Sequence, residues 1–145
     1  MPAPDVTVRG ALSQSEGEAV WAAVATVYAG FLGGDAGAVD AVLAHDVTIW
    51  NHDHVPLMRG TADLDAVRAA RVTDPAPGPA VAALAPHTVL VDAHGDVAWC
   101  RHLLDVTTAD GSTSTARVTD VLRRDGERWT IVHHHEQEIP PHGLP

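Results

Sequence analysis

The sequence has no lysine, a single cysteine, and no apolar run approaching the length of about eighteen residues that a membrane helix needs. One cysteine excludes an internal disulfide. Cys100, in a strand-like stretch, reads as a small buried apolar residue before it reads as a nucleophile. Positive charge is scarce: nine basic side chains against nineteen acidic ones give a formal charge of -10. Such a surface repels phosphate backbones and anionic lipid, so neither nucleic acid nor a membrane is an expected partner. The opening MPAPDVTVRG lacks the basic head and apolar stretch of a signal peptide, so a cytoplasmic location is expected. Plentiful Ala, Val, Gly and Pro beside the missing lysine suggest a GC-rich bacterial genome. What is present suffices for one core, since 46% of 145 residues are hydrophobic.

Residues 1–14 are polar and contain proline, and they read as an arm leading into a domain over 15–139, with 140–145 as a tail. Ser15 and Glu18 fit a capping box. Val20, Trp21, Val24, Val27, Tyr28, Phe31 and Leu32 then recur at helical spacing until Gly33-Gly34. Asp35 caps a shorter second helix, and the β-branched and aromatic run Val47–Trp50 reads as a strand. The polar segment Asn51-His52-Asp53-His54 reads as a loop. Gly60-Thr61 marks a turn and cap before a third helix carrying Leu64, Val67 and Ala70, which ends at a Pro-rich break. Segments near 81–92, 97–108, 114–124 and 128–138 then alternate with period two, separated by Gly95, Asp110-Gly111 and Asp125-Gly126. Helices first and an antiparallel meander afterwards predict an α+β fold with helices on one face of a strongly twisted sheet.

The stretch Arg117-Val118-Thr119-Asp120, the turn Asp125-Gly126, and the strand Trp129-Thr130-Ile131-Val132-His133-His134-His135 together resemble the last hairpin of SnoaL-like proteins, a branch of the NTF2-like superfamily. The Trp21-to-Leu32 helix, the Asp46-Val47-Thr48 strand entry and the Arg59-Gly60 turn fall where that family has its long helix, first strand and post-strand glycine. The resemblance spans roughly residues 16–138. It implies a cone-shaped fold, three N-terminal helices on a curved, mostly antiparallel sheet, and a homodimer formed through the outer sheet face. The polyketide-cyclase and ketosteroid-isomerase relatives use a carboxylate base. The motif itself singles out no equivalent Asp here, and Asp53 is the carboxylate to test.

If both Asp-Gly pairs are two-residue hairpin loops, Trp99, Arg101, Leu103, Val118, Asp120, Leu122, Trp129, Ile131, His133 and His135 share the helix-facing side. Cys100, His102, Arg117, Thr119, Arg123, Thr130, His134 and Glu136 then share the outer one. On the inner side Arg101 and Asp120 read as a cross-strand ion pair or, for Arg101, as an anchor for a ligand carbonyl or anion. His133 and His135 read as structural histidines or as general acid or base, since a histidine at its reference pKa of about 6.5 can give or accept a proton at neutral pH. His134 reads as a surface or interface residue. Asn51–His54, at the mouth of a cone, reads as a solvated loop, as a rim with Asp53 or His54 in acid-base work, or as half of a metal site with His52, His54, His133 and His135. Trp50, Trp99, Trp129, Tyr28, His52 and His54 are the candidate ligand-lining residues. His45, His87, His94 and His142 read as exposed. The leading expectation is an acid-base enzyme of the isomerase, lyase or cyclase type, acting without a cofactor on a largely apolar carbonyl compound. A non-catalytic binding or dimerisation module and a metal-dependent enzyme are the alternatives.

Overall fold

The structure, a computed structural model, describes residues 3–75 and 77–140. His142 therefore lies outside the described residues. The elements in chain order are β1 (Val6–Val8), α1 (Gln14–Leu32), α2 (Ala36–Asp40), β2 (Leu43–Asn51), β3 (His54–Arg59), α3 (Gly60–Thr73), β4 (Val81–His94), β5 (Val97–Thr108), β6 (Thr113–Asp125) and β7 (Arg128–Glu138). The strands form one open, curved sheet in the order β1-β4-β5-β6-β7-β2-β3. It is antiparallel except where β1 meets β4 and β2 meets β7. The expected α+β cone with three helices is what forms.

Local chemistry explains most boundaries. Helix α1 starts two residues earlier than the Ser15 reading, because Ser13 is the residue whose hydroxyl accepts from the Glu16 N–H. Its carboxyl end closes on Gly33, whose N–H donates to Ala29. Asp35 does cap α2, accepting from the Ala38 N–H. The expected arm is partly structured: Val6–Val8 forms β1 against β4, and Val6 and Leu12 pack on the core. A Cβ on Gly17 would fall 2.2 Å from Val8, so glycine is what lets α1 lie this close to β1. A strand was also missed, since His54–Arg59 pairs with β2 although Pro56 costs it a backbone donor. Its edge position tolerates that loss.

The core forms where α1 crosses the concave face. Val20, Trp21, Val24 and Tyr28 of α1 meet Val47, Val89, Val91, Leu122 and Ile131, all buried. Each such side chain contributes about 1.5–3 kcal/mol on leaving water. A bulge in β4 between His87 and Leu90, with Thr88 at φ 57°, bends the sheet over this core.

Two local features overturn the expected sheet faces. Thr107 pairs with Thr113, so the β5–β6 loop spans residues 108–112, and the Asp110 carboxylate closes it by accepting from Thr108 Oγ1 and the Ser112 N–H. This register differs by one residue from a two-residue Asp110-Gly111 loop, and a one-residue slip exchanges the faces of β5. Ala98, Cys100, His102 and Leu104 therefore point inward, while Trp99, Arg101 and Leu103 lie outside. The β6–β7 loop keeps its expected parity, with Asp125 opposite Arg128 and Leu122 opposite Ile131. A bulge then intervenes, placing Val121 opposite His133. Trp129 and Ile131 remain inside as expected, but beyond the bulge His134 and Glu136 turn inward and His133 and His135 turn outward.

Candidate functional site

The cone's inner surface contains a row of aligned residues, one from each of six strands: Met58, Ile49, His134, Asp120, Cys100 and Val91. Four of these are apolar or, like Cys100, behave as such. The Cys100 thiol is pushed far up by burial and then by the Asp120 charge, so it supplies no thiolate at neutral pH. The remaining two form a contact, His134 Nδ1 to Asp120 Oδ1, at 2.7 Å. Asp120 is fully buried, and the His134 side chain is 15% exposed. Burial pulls the His134 pKa down, but the charge and hydrogen bond of Asp120, with help from Glu136, outweigh it and hold the ring above its ordinary value.

One row further, His102 lies opposite Val118 on the same face. The Tyr28 hydroxyl reaches down from α1 to His102 Nε2 at 2.5 Å, and Trp21 meets the same ring edge-on with centroids 5.0 Å apart. Burial is the main force on both partners: it raises Tyr28 well above its usual pKa, with Asp120 adding to the effect, and it lowers His102 to about 4. At neutral pH Tyr28 thus keeps its proton and His102 is an uncharged ring with one N–H. A phenol is a stronger acid than a neutral imidazole N–H, and imidazole nitrogen is a stronger base than phenol oxygen. Tyr28 therefore donates to Nε2, and the ring proton sits on Nδ1.

Two atoms of this cluster, His102 Nδ1 and Asp120 Oδ2, are buried without a hydrogen-bond partner among the described residues. One is a donor and the other an acceptor, and an unpaired buried polar group costs about 1–3 kcal/mol. Orphans of this kind are what a ligand carrying a complementary acceptor and donor would satisfy.

The residues expected to carry chemistry are dispersed. Asp120 and Tyr28 join the cluster, whereas the expected Arg101–Asp120 pair does not form. Arg101 is on the outer face and binds Asp92, which Arg9 grips as well at 2.8 Å. The first hydrogen bond from Arg9, then that from Arg101, holds the Asp92 carboxyl below its usual range against the effect of burial. His133 bonds Thr48 at 2.7 Å, and with His135 it flanks Trp50 on the outer face. Trp50 is 45% exposed and Trp99 is half-buried there, so neither lines the cone. Trp129 is buried among core residues under the Arg124 guanidinium. His52 reaches Glu136 at 3.0 Å. His45 and His94 are exposed as expected, whereas His87 is half-buried and reaches Asp105 at 3.2 Å.

Asp53 and His54 do border a cavity, an open groove of about 670 Å³ between β3 and α3 with Met58 in its wall. Asp53 is committed there to Arg71 at 2.9 Å, with both side chains more than a third exposed. This groove and the perturbed acid-base groups are thus separate places that share Met58. The perturbed, buried groups are the better guide to chemistry. Among the described residues no three His, Cys, Asp or Glu side chains converge as metal ligands, and the four histidines of the expected metal site are split between the outer face and the rim. The missed residues, His102 and His134, were hidden by the loop length and the bulge. The Thr108-x-Asp110-x-Ser112 pattern, an Asp able to bond both neighbours, was the available signal for a longer turn.

A family model described as the SnoaL-like domain matches residues 20–137. Among curated protein sequences none matches the chain. Solved structures with the same fold include an NTF2-like protein of unknown function from Pseudomonas putida KT2440, 20% identical over 90% of each chain with a TM-score of 0.72. A CaMKII hub from S. rosetta is 22% identical over 83% of this chain and 95% of its own, with a TM-score of 0.68. A ketosteroid isomerase-like protein from Erwinia carotovora atroseptica SCRI1043 is 20% identical over 86% and 96%, with a TM-score of 0.65. At these identities the likeness is one of fold.

Proposed function

Because this chain belongs to the SnoaL-like domain family, whose scaffold hosts many chemistries, we propose that it is an acid-base enzyme of the isomerase, lyase or cyclase type acting on a largely apolar carbonyl compound held inside the cone. The observation that carries this reading is the pair of buried orphans, Asp120 Oδ2 and His102 Nδ1, on one apolar face. In the proposed step Asp120 Oδ2 takes a proton from the carbon beside the carbonyl, and the C–H electrons move into the new C=C bond as the carbonyl oxygen gains negative charge. His102 Nδ1–H donates to that oxygen, and Tyr28, donating to Nε2, fixes the ring's tautomer. His134 holds Asp120 Oδ1, keeping the other oxygen oriented. Return of the proton from Asp120 to another carbon completes an isomerisation.

The test is deuterium uptake from D2O into a panel of cyclic and aromatic ketones, followed by proton NMR. Wild type and Asp53→Asn should both accelerate uptake, and Asp120→Asn should reduce it by about a hundredfold or more. Uptake that survives Asp120→Asn but vanishes in Asp53→Asn would move the chemistry to the groove. Saturable ketone binding without uptake by wild type would favour a non-catalytic binding module.

The same reading includes a homodimer through the outer sheet face, where Trp50 stands 45% exposed between His133 and His135. The hub name of one structural neighbour supports assembly on this scaffold. Sedimentation equilibrium of wild type and Trp50→Asp tests it. A wild-type dimer that becomes monomeric in the variant is the expected result.

A further inference from the structure

The groove between β3 and α3 takes no part in the chemistry proposed for the cone, yet its volume of about 670 Å³ lies in the range that accepts small molecules. We infer that it is a separate binding site for an elongated, uncharged, apolar small molecule. The groove exists because α3 is incompletely covered: none of its residues is buried, and Leu64 and Val67 touch the core only in part. The small side chains of Ala66 and Ala70 leave a trough along the helix, with Pro56 and Leu57 in the opposite wall and Met58, 2% exposed, in the floor. Methionine there gives a wall that adapts to the shape of an apolar guest.

Two of the three carboxylates at the rim are already engaged. Asp53 is neutralised by Arg71 at 2.9 Å, and Asp63 accepts the Arg59 N–H at 2.9 Å. With Asp74 the lining holds three carboxylates against one guanidinium, which opposes an anion. An uncharged apolar body therefore fits the walls without opposing the field, whereas a fatty carboxylate fits only the walls.

The experiment is a protein-detected NMR titration with hexanol, octanol and octanoate, each below its aggregation limit, on wild type, Ala70→Trp, Ala66→Phe and Asp120→Asn. Both groove positions are exposed, so the two filling variants are expected to fold, which circular dichroism checks. Octanol should give saturable shifts at Met58, Val67 and Ala70. It should bind more tightly than hexanol by about two- to fourfold per methylene, and at least about threefold more tightly than octanoate. Binding should be lost in both filling variants and kept in Asp120→Asn. The inference is overturned if octanol gives no saturable shifts, if octanoate binds as well, if binding survives both fillings, or if it depends on Asp120. None of these outcomes bears on ketone deuteration, so the two proposals fail separately.

Discussion

Two contacts of almost equal length divide this molecule into a wet and a dry half. Asp53 meets Arg71 at 2.9 Å on the rim of the groove, with 38% and 39% of the side chains exposed. Asp120 meets His134 at 2.7 Å inside the cone, with 1% and 15% exposed. Geometry alone would call them equivalent. Water separates them: at the rim it screens the charges and solvates either partner left alone, whereas inside neither group can be stranded cheaply. The wet contact borders a groove, and the dry one holds the His134 ring above its ordinary pKa.

The sharpest way to break this comparison is to delete one carboxylate from each half. Asp120→Ala should destabilise the fold by about 3–5 kcal/mol, and Asp53→Ala by less than about 1 kcal/mol, as read from urea unfolding at neutral pH. Equal losses would mean that the cone is as wet as the rim. Next in size is the acid limb. His102 has a folded pKa lowered to about 4, so its neutral, buried form contributes stability above the unfolded value of about 6.5, and that contribution is lost as pH falls through the folded value. Between those limits wild type should lose about 3 kcal/mol that His102→Phe does not lose.

His134 should behave in the opposite sense. Its folded pKa is raised, so its stabilisation is complete below about 6.5 and fades as pH climbs through the folded value. The stability difference between wild type and Asp120→Asn should shrink across that window. A difference that grew with pH would reverse the assignment. The smallest expected effect is on the rim, where raising salt from about 0.1 to 1 M should erase most of the Arg71→Gln destabilisation and leave that of Asp120→Asn largely intact.

Much of the fold was legible because it rests on signals that repeat: the apolar stripe of α1, the period-two strands, and the last-hairpin motif. The inner face depended on two single-residue events. A five-residue loop at 108–112 in place of a two-residue one exchanged His102 for Arg101, and one extra residue in β7 exchanged His134 for His133 and His135. Because side chains alternate along a strand, a one-residue error reverses a whole face, and neither hydrophobicity nor composition resolves it. Asp120 was found because β6 sets the parity that both neighbours were measured against. Its partner was not, because without the bulge the register puts His134 on the outer face. Strand β3 was missed because Pro56 and the polar residues before it mimic a loop, and an edge strand tolerates both.

The most direct test of the central claim, that burial sets His102 apart and the buried Asp120 charge sets His134 apart, is a titration of all histidine rings by carbon-proton NMR. The account predicts that His102 titrates near about 4 while His134 titrates above the ordinary value of about 6.5, and that Asp120→Asn brings His134 back down. Both rings titrating together near 6.5, unchanged by Asp120→Asn, would contradict it.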